Sequence, residues 1–162
     1  MPSSRADSGD SADDAMGLVH DLRRVVVAVE LHGGDFAARH GMHATDVRAL
    51  IALLDRERAG QQATPGWLAA HLGISSASAT ALVDRMESAG LVERARHDTD
   101  RRKITIAVSG EARELGWSFF GPLIDGVLAV TREFSADELD TVRRFLGSVA
   151  HAVDRAAPGQ ES

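Results

Sequence analysis

The sequence predicts a mainly α-helical chain carrying one small β-hairpin, and three observations predict it. Apolar residues recur at helical spacing in several segments between Met16 and Val153, each bounded by Gly, Pro or a capping residue. Leu91 to Arg96 and Lys103 to Val108 instead read as β-branched or alternating runs, joined by the Asp- and Arg-loaded segment HDTDRR. Two short helices with a tight turn between them come immediately before this hairpin. Together these features predict a winged helix-turn-helix flanked by further helices.

The chain of 162 residues suits one domain, or one domain with a dimerisation appendage. It has no cysteine, which excludes disulfides, thiol redox sensing and Cys-ligated zinc. No apolar run approaches the ~20 residues of a membrane span, and the N-terminus lacks a signal-like apolar core. The expectation is therefore a cytoplasmic protein that does not enter a membrane.

Residues 1–15 are rich in Ser, Asp and Gly and predict a disordered tail. Residues 16–162 predict a single domain, with the winged core over 43–108 and flanking helices over 16–40 and 109–155. The first helix carries Leu18, Leu22, Val25, Val26 and Val29 on one stripe. Gly33 and Gly34 weaken it and leave two readings open, a bend beside a ligand or close packing against another helix. After Gly41, the segment from Ala44 to Arg58 predicts a helix with Val47, Leu50, Ile51 and Leu54 inward.

Thr64 is placed to cap the next helix, with Pro65 at the first position where its missing N–H costs nothing, and Gly73 stops it. Ser75 opens the following helix, whose Ala79, Leu82, Val83 and Met86 form a buried stripe, and Gly90 ends it. That stripe turns Ser78, Thr80, Ala81, Asp84, Arg85 and Ser88 outward, with Ser76 nearer the N-terminal end. In the hairpin, Ile104, Ile106 and Val108 share one face, and the stretch from Leu91 to Lys103 has a surplus of two positive charges in a chain of net charge −6. Ser109 is placed to cap a helix that Pro122 should kink. The last helix opens with a capping box of Ser135 and Glu138, stapled by Phe134 and Leu139.

The pieces LAAHLGIS, ATALVDRMESAGLVER and DTDRRKITIAVSGEA, with helices on both sides in the same order, resemble the multiple antibiotic resistance regulator (MarR) family of dimeric winged-helix repressors. The resemblance runs from Leu18 to Val153. It implies that the helix from Ser75 reads the major groove of double-stranded DNA through Ser75, Ser76, Ser78 and Thr80. It also implies that Arg85 contacts a phosphate, that Arg101 reaches the minor groove, and that Arg102 pairs with Asp84 to fix the wing. Thr64 and Arg96 are counted with this DNA-binding set. Ala77 and Ala81 stand where relatives often carry larger or basic residues, which thins direct base readout and favours readout of DNA shape.

The same resemblance implies a homodimer built from the first and the last two helices, and a small aromatic or anionic effector where those helices meet the winged unit. His32, Phe36, His40, His43, Trp67, Trp117 and Phe120 are the candidates for that junction. Trp67 also fits simple packing. Glu30 with His32, and His40 with His43, are spacings a metal could use, but with no Cys and no H-x-x-x-H pair no metal site is assigned. No cofactor is expected. With no nucleophile elbow, phosphate loop or dinucleotide fingerprint, an enzyme is not expected either. The rivals to a DNA-binding repressor are a winged-helix module for protein partners and a metal-responsive regulator.

Overall fold

The computed structural model describes residues 6–96 and 104–156. In chain order it contains α1 (Ala6–Arg39), α2 (Ala44–Arg58), α3 (Pro65–Leu72), α4 (Ser76–Ser88), β1 (Val92–Arg96), β2 (Ile104–Val108), α5 (Gly110–Thr131) and α6 (Ala136–Ala156). Two compact units divide the chain, one over residues 1–114 and one over 115–162. The mainly helical architecture with one antiparallel hairpin is that of a winged helix-turn-helix.

In the first unit the core lies where α2, α3, α4, the hairpin and the first turn of α5 meet, with Ala49, Leu68, Val83 and Met86 fully buried. The strands pair in register Val92↔Val108, Arg94↔Ile106 and Arg96↔Ile104. A further bridge, with the Ile106 N–H donating to the Ala63 carbonyl at 2.9 Å, ties the segment before α3 to the edge of β2. Ser109 caps α5 as expected, its hydroxyl accepting the Ala112 N–H at 3.1 Å, and the same hydroxyl donates to the Gly90 carbonyl at 2.7 Å. Arg113, one turn on, joins Glu57 of α2 at 2.7 Å and the Val108 carbonyl at 3.0 Å.

Several details depart from the sequence reading or refine it. Helix α1 begins at Ala6, so residues 6–15 are helical where a disordered tail was expected. No proline interrupts that stretch, and once the residues after Met16 are helical each one upstream needs only propagation, which is far cheaper than nucleation. The helix also runs unbroken through Gly33 and Gly34, and a Cβ on Gly33 would lie 3.9 Å from Val47 Cγ1, which favours the close-packing reading.

On α2 the inward face is Asp46, Val47, Ala49, Leu50, Ala52 and Leu53, whereas Ile51 is exposed and Leu54 half-buried. The small Ala49 and Ala52 are buried in the core cluster and so shift the inward face. In the hairpin Ile106 and Val108 are buried but Ile104, at the open end, is exposed. The helical assignment of α5 passes through Pro122.

In the second unit the start of α6 has the predicted box: the Ser135 N–H donates to Glu138 Oε2 at 2.8 Å and the Glu138 N–H to Ser135 Oγ at 3.3 Å. The backbone and then the side-chain hydrogen bonds of Ser135 hold the Glu138 pKa below its usual value. Among the described residues no helix is long and apolar enough to cross a membrane.

The buried α4 stripe sets a stability test. Leu82→Ala removes a side chain that is 2 % exposed and should cost about 2–5 kcal/mol in a urea unfolding curve. A loss below about 1 kcal/mol would mean that the stripe does not bear on the core.

Candidate nucleic-acid interface

Local sequence fixes the two helices that matter. Thr64 Oγ1 accepts the Trp67 N–H at 3.2 Å, and Pro65 occupies the first turn. Gly73 ends α3 in the left-handed region with φ +64°, where a Cβ would be strained, and the Ile74 N–H then reaches back to the Ala69 carbonyl at 3.0 Å. Ser75 Oγ accepts the Ser78 N–H at 3.1 Å and starts α4. Because Ala79, Leu82, Val83 and Met86 are buried, Ser76, Ala77, Ser78, Thr80, Ala81, Asp84, Arg85 and Ser88 are exposed, as the helical wheel requires.

The exposed face is short-chained and its hydroxyls are partly committed. Ser75 Oγ and Ser78 Oγ share a hydrogen bond of 2.9 Å, Thr80 Oγ1 donates to the Ser76 carbonyl at 3.0 Å, and Ser88 Oγ to the Asp84 carbonyl at 2.8 Å. Backbone can therefore approach a partner closely along this helix. Thr64 is half-buried, and its hydroxyl serves as the α3 cap.

The charged residues of α4 are engaged by neighbours. Arg85 Nη2 donates to Asp46 Oδ1 of α2 at 2.5 Å, with the Arg85 side chain 43 % exposed and that of Asp46 4 %. The other carboxylate oxygen of Asp46 accepts the His43 N–H at 2.9 Å and faces His43 Nδ1 at 3.3 Å. Burial by itself would raise the Asp46 pKa. The Arg85 hydrogen bond, the His43 N–H, the Arg85 charge and the His43 ring together outweigh it, and the carboxyl sits below its ordinary 3.8.

Asp84 Oδ1 receives Arg94 Nη2 of β1 at 2.5 Å, and Arg94 Nη1 also donates to Glu87. The Asp84 hydrogen bond raises the Arg94 pKa, desolvation opposes it, and the charges of Glu87 and Asp84 add to the rise. Arg102, the partner expected for Asp84, lies outside the described residues, as do Arg101 and the Arg96 side chain. The strand of Arg96 is described at its backbone, opposite Ile104.

The effector candidates fall in both units. In the first, Phe36 is buried and its ring lies 4.7 Å from that of His40, while His32 is half-buried. His43 stands at the α2 N-terminus with its ring toward Asp46. Trp67 packs against the core, stacks on His71 at 4.9 Å and has the Arg56 guanidinium 4.3 Å from its ring, which is the packing reading. In the second unit Trp117 is exposed and lies over Gly121, and Phe120 meets Phe119 edge-on at 5.1 Å. Among the described residues no group of three His, Cys, Asp or Glu side chains could hold a metal ion.

The sequence reading had not singled out Asp46, Glu87 or Arg94. The signal for Arg94 was present: it shares a strand face with buried Val92, so a cation there must find an acid, and α4 carries two, three residues apart. Asp46 gave no such signal, because its partner is 39 residues away.

Comparison with known proteins places this geometry. The MarR family model matches residues 40–103. The HTH-type transcriptional regulator YcgE of Bacillus subtilis (strain 168) is 32 % identical over 114 residues, covering 70 % of this chain and 71 % of its own length. The repressor YetL of the same organism is 28 % identical over 114 residues, covering 70 % and 66 %. Among solved structures, a mutant MepR from a multidrug-resistant S. aureus clinical isolate superposes with TM-score 0.68 at 13 % identity, over 84 % of this chain and 96 % of that one. The S. aureus MepR–DNA complex gives 0.54 at 14 %, over 82 % and 96 %. At such identities the structural likeness concerns the fold alone.

The Asp46 pair predicts a pH signature. A lowered folded-state pKa means that its contribution to stability is fully present above the ordinary carboxyl value and is lost as pH falls through the lowered one. Asp46→Asn should cost about 1–2 kcal/mol at pH 7. The gap to wild type should begin to narrow as pH falls past the ordinary carboxyl value of 3.8 and close only below the lowered native value, where the folded carboxyl is protonated too. Unfolding curves at several pH values check this, and a gap that persists into acid would refute it.

Proposed function

The chain belongs to the MarR family of transcriptional regulators, and from that premise we propose that it acts as a homodimeric repressor, released from a near-palindromic operator by a small-molecule effector. The family is one of transcription regulators and not of enzymes. The observation that carries the proposal is the exposed face of α4, short-chained from Ser76 to Ala81 and flanked by a hairpin whose connecting sequence bears Arg101 and Arg102. A helix with small side chains enters a major groove without steric cost, and arginines beside it supply the phosphate and minor-groove attraction. Ser75, Ser76, Ser78 and Thr80 are the proposed groove residues, with Arg96 and Arg101 on the backbone and minor groove. YetL, a relative, is named a repressor, and MepR, a structural neighbour, has been solved on DNA.

Dimerisation is supported by unpartnered apolar surface. Leu18, Val25 and Leu31 on α1, Val127 and Val130 on α5, and Phe145, Leu146 and Val153 on α6 are all exposed. A two-fold copy is the commonest way to cover such faces, and it sets two recognition helices one DNA turn, about 34 Å, apart. Regulation requires that the effector bind a form with the wrong recognition-helix spacing more tightly. A coupling of ~1–3 kcal/mol would lower operator affinity by ~5–150 fold. Asp46 gives that coupling a physical route, since it ties the N-terminus of α2 to Arg85 on α4.

Binding to a duplex recovered from a random pool tests the proposal. Affinity should fall steeply, by about a thousandfold between 50 and 200 mM salt for a dimer that neutralises six or more phosphates. Arg101→Ala should weaken binding broadly, and Ser78→Ala should shift preference among sites. A protein that selects no duplex, or binds one without salt dependence, would be a module for protein partners instead. Sedimentation at micromolar concentration should show a dimer, and a monomer would contradict the two-half-site arrangement.

A further inference from the structure

Strand alternation puts Val92 and Arg94 of β1 on the same face of the hairpin as their partners Val108 and Ile106 of β2. Val92, Ile106 and Val108 are buried against the helices, so Arg94 leaves the sheet on the side where α4 packs. Its side chain is only 25 % exposed, and its fork spans Asp84 and Glu87, three residues apart on α4. Both acids lie on the solvent side of that helix, next to Arg85 and Ser88. The hairpin is thus joined to α4 by more than apolar burial.

Resting on the reading of α4 as the recognition helix, we propose that Arg94 is a positioning residue for DNA binding. It locks the wing to α4 at a fixed angle and neutralises two carboxylates that would otherwise repel the phosphate backbone. Arginine suits both tasks, because its planar fork can hold two carboxylates at once while a lysine ammonium holds a single point. The hairpin root does not depend on it: the Val92 and Val108 side chains and the Ser109 bonds to Gly90 and Leu91 keep the strands in the core. Loss of Arg94 therefore leaves a folded protein with a misdirected wing and a more negative groove face.

The test is a mutant cycle read on the full chain, with the duplex selected from a random pool as probe. Arg94→Gln should weaken specific binding roughly tenfold with little change in the thermal midpoint, and Arg94→Lys should recover part of that loss. In a background of Asp84→Asn with Glu87→Gln, Arg94→Gln should change affinity less than about twofold, since nothing remains for the guanidinium to hold. Amide exchange at Ala95 and Thr105 in the free protein should rise in Arg94→Gln, a readout independent of DNA. Equal losses in both backgrounds would make Arg94 a direct DNA contact and overturn the proposal, as would wild-type affinity in Arg94→Gln. Should Arg94→Gln unfold, the Arg94→Lys comparison across the two backgrounds decides the same point. Wild-type protein that selects no duplex would refute the DNA-binding reading, whereas wild-type binding with an indifferent Arg94 refutes this inference alone.

Discussion

The burial of one stripe of α4 governs everything that faces outward. Leu82, Val83 and Met86 are almost without solvent contact, and a helix 13 residues long has no freedom to rotate once three such side chains are seated. Its opposite face is then determined by the 3.6-residue period, not by any separate interaction. The α3–α4 turn, the Ser75 cap and the anchoring of β1 immediately after Gly90 all serve to keep that rotation fixed. Function and stability thus share one set of contacts.

On this seated helix the charges form a second layer. Asp46 reaches Arg85 from α2, and Arg94 reaches Asp84 and Glu87 from β1, so α4 is held by ion pairs on both flanks of its exposed face. One pair is built on a buried carboxylate, and in the other a half-buried arginine holds two acids at once, which sets both apart from single surface bridges. Their consequence is geometric. They define where the wing and the α2 N-terminus stand relative to the helix, and any regulatory movement of α4 has to break or drag them.

What could be read from the sequence was local. The caps at Thr64, Ser75, Ser109 and Ser135 were legible because each bonds within three residues of itself, and the α4 stripe because its period is unambiguous. Ile51 was misplaced on α2 because the inward face includes Ala49 and Ala52, small residues that do not look like core anchors in the sequence. The start of α1 was misjudged because composition says little about a helix that extends from one already formed. Asp46 with Arg85, and Arg94 with its two acids, join residues on different elements and became visible only when the elements were brought together.

The central claim is that α4 lies in the major groove, once for each copy of the chain. Methylation interference on the selected duplex addresses it directly, because methyl groups on guanine N7 line that groove. The account predicts two clusters of blocked purines, one helical turn of about 10 base pairs apart, that disappear together when binding is abolished. Binding indifferent to methylation, or blocked at a single cluster, would contradict it.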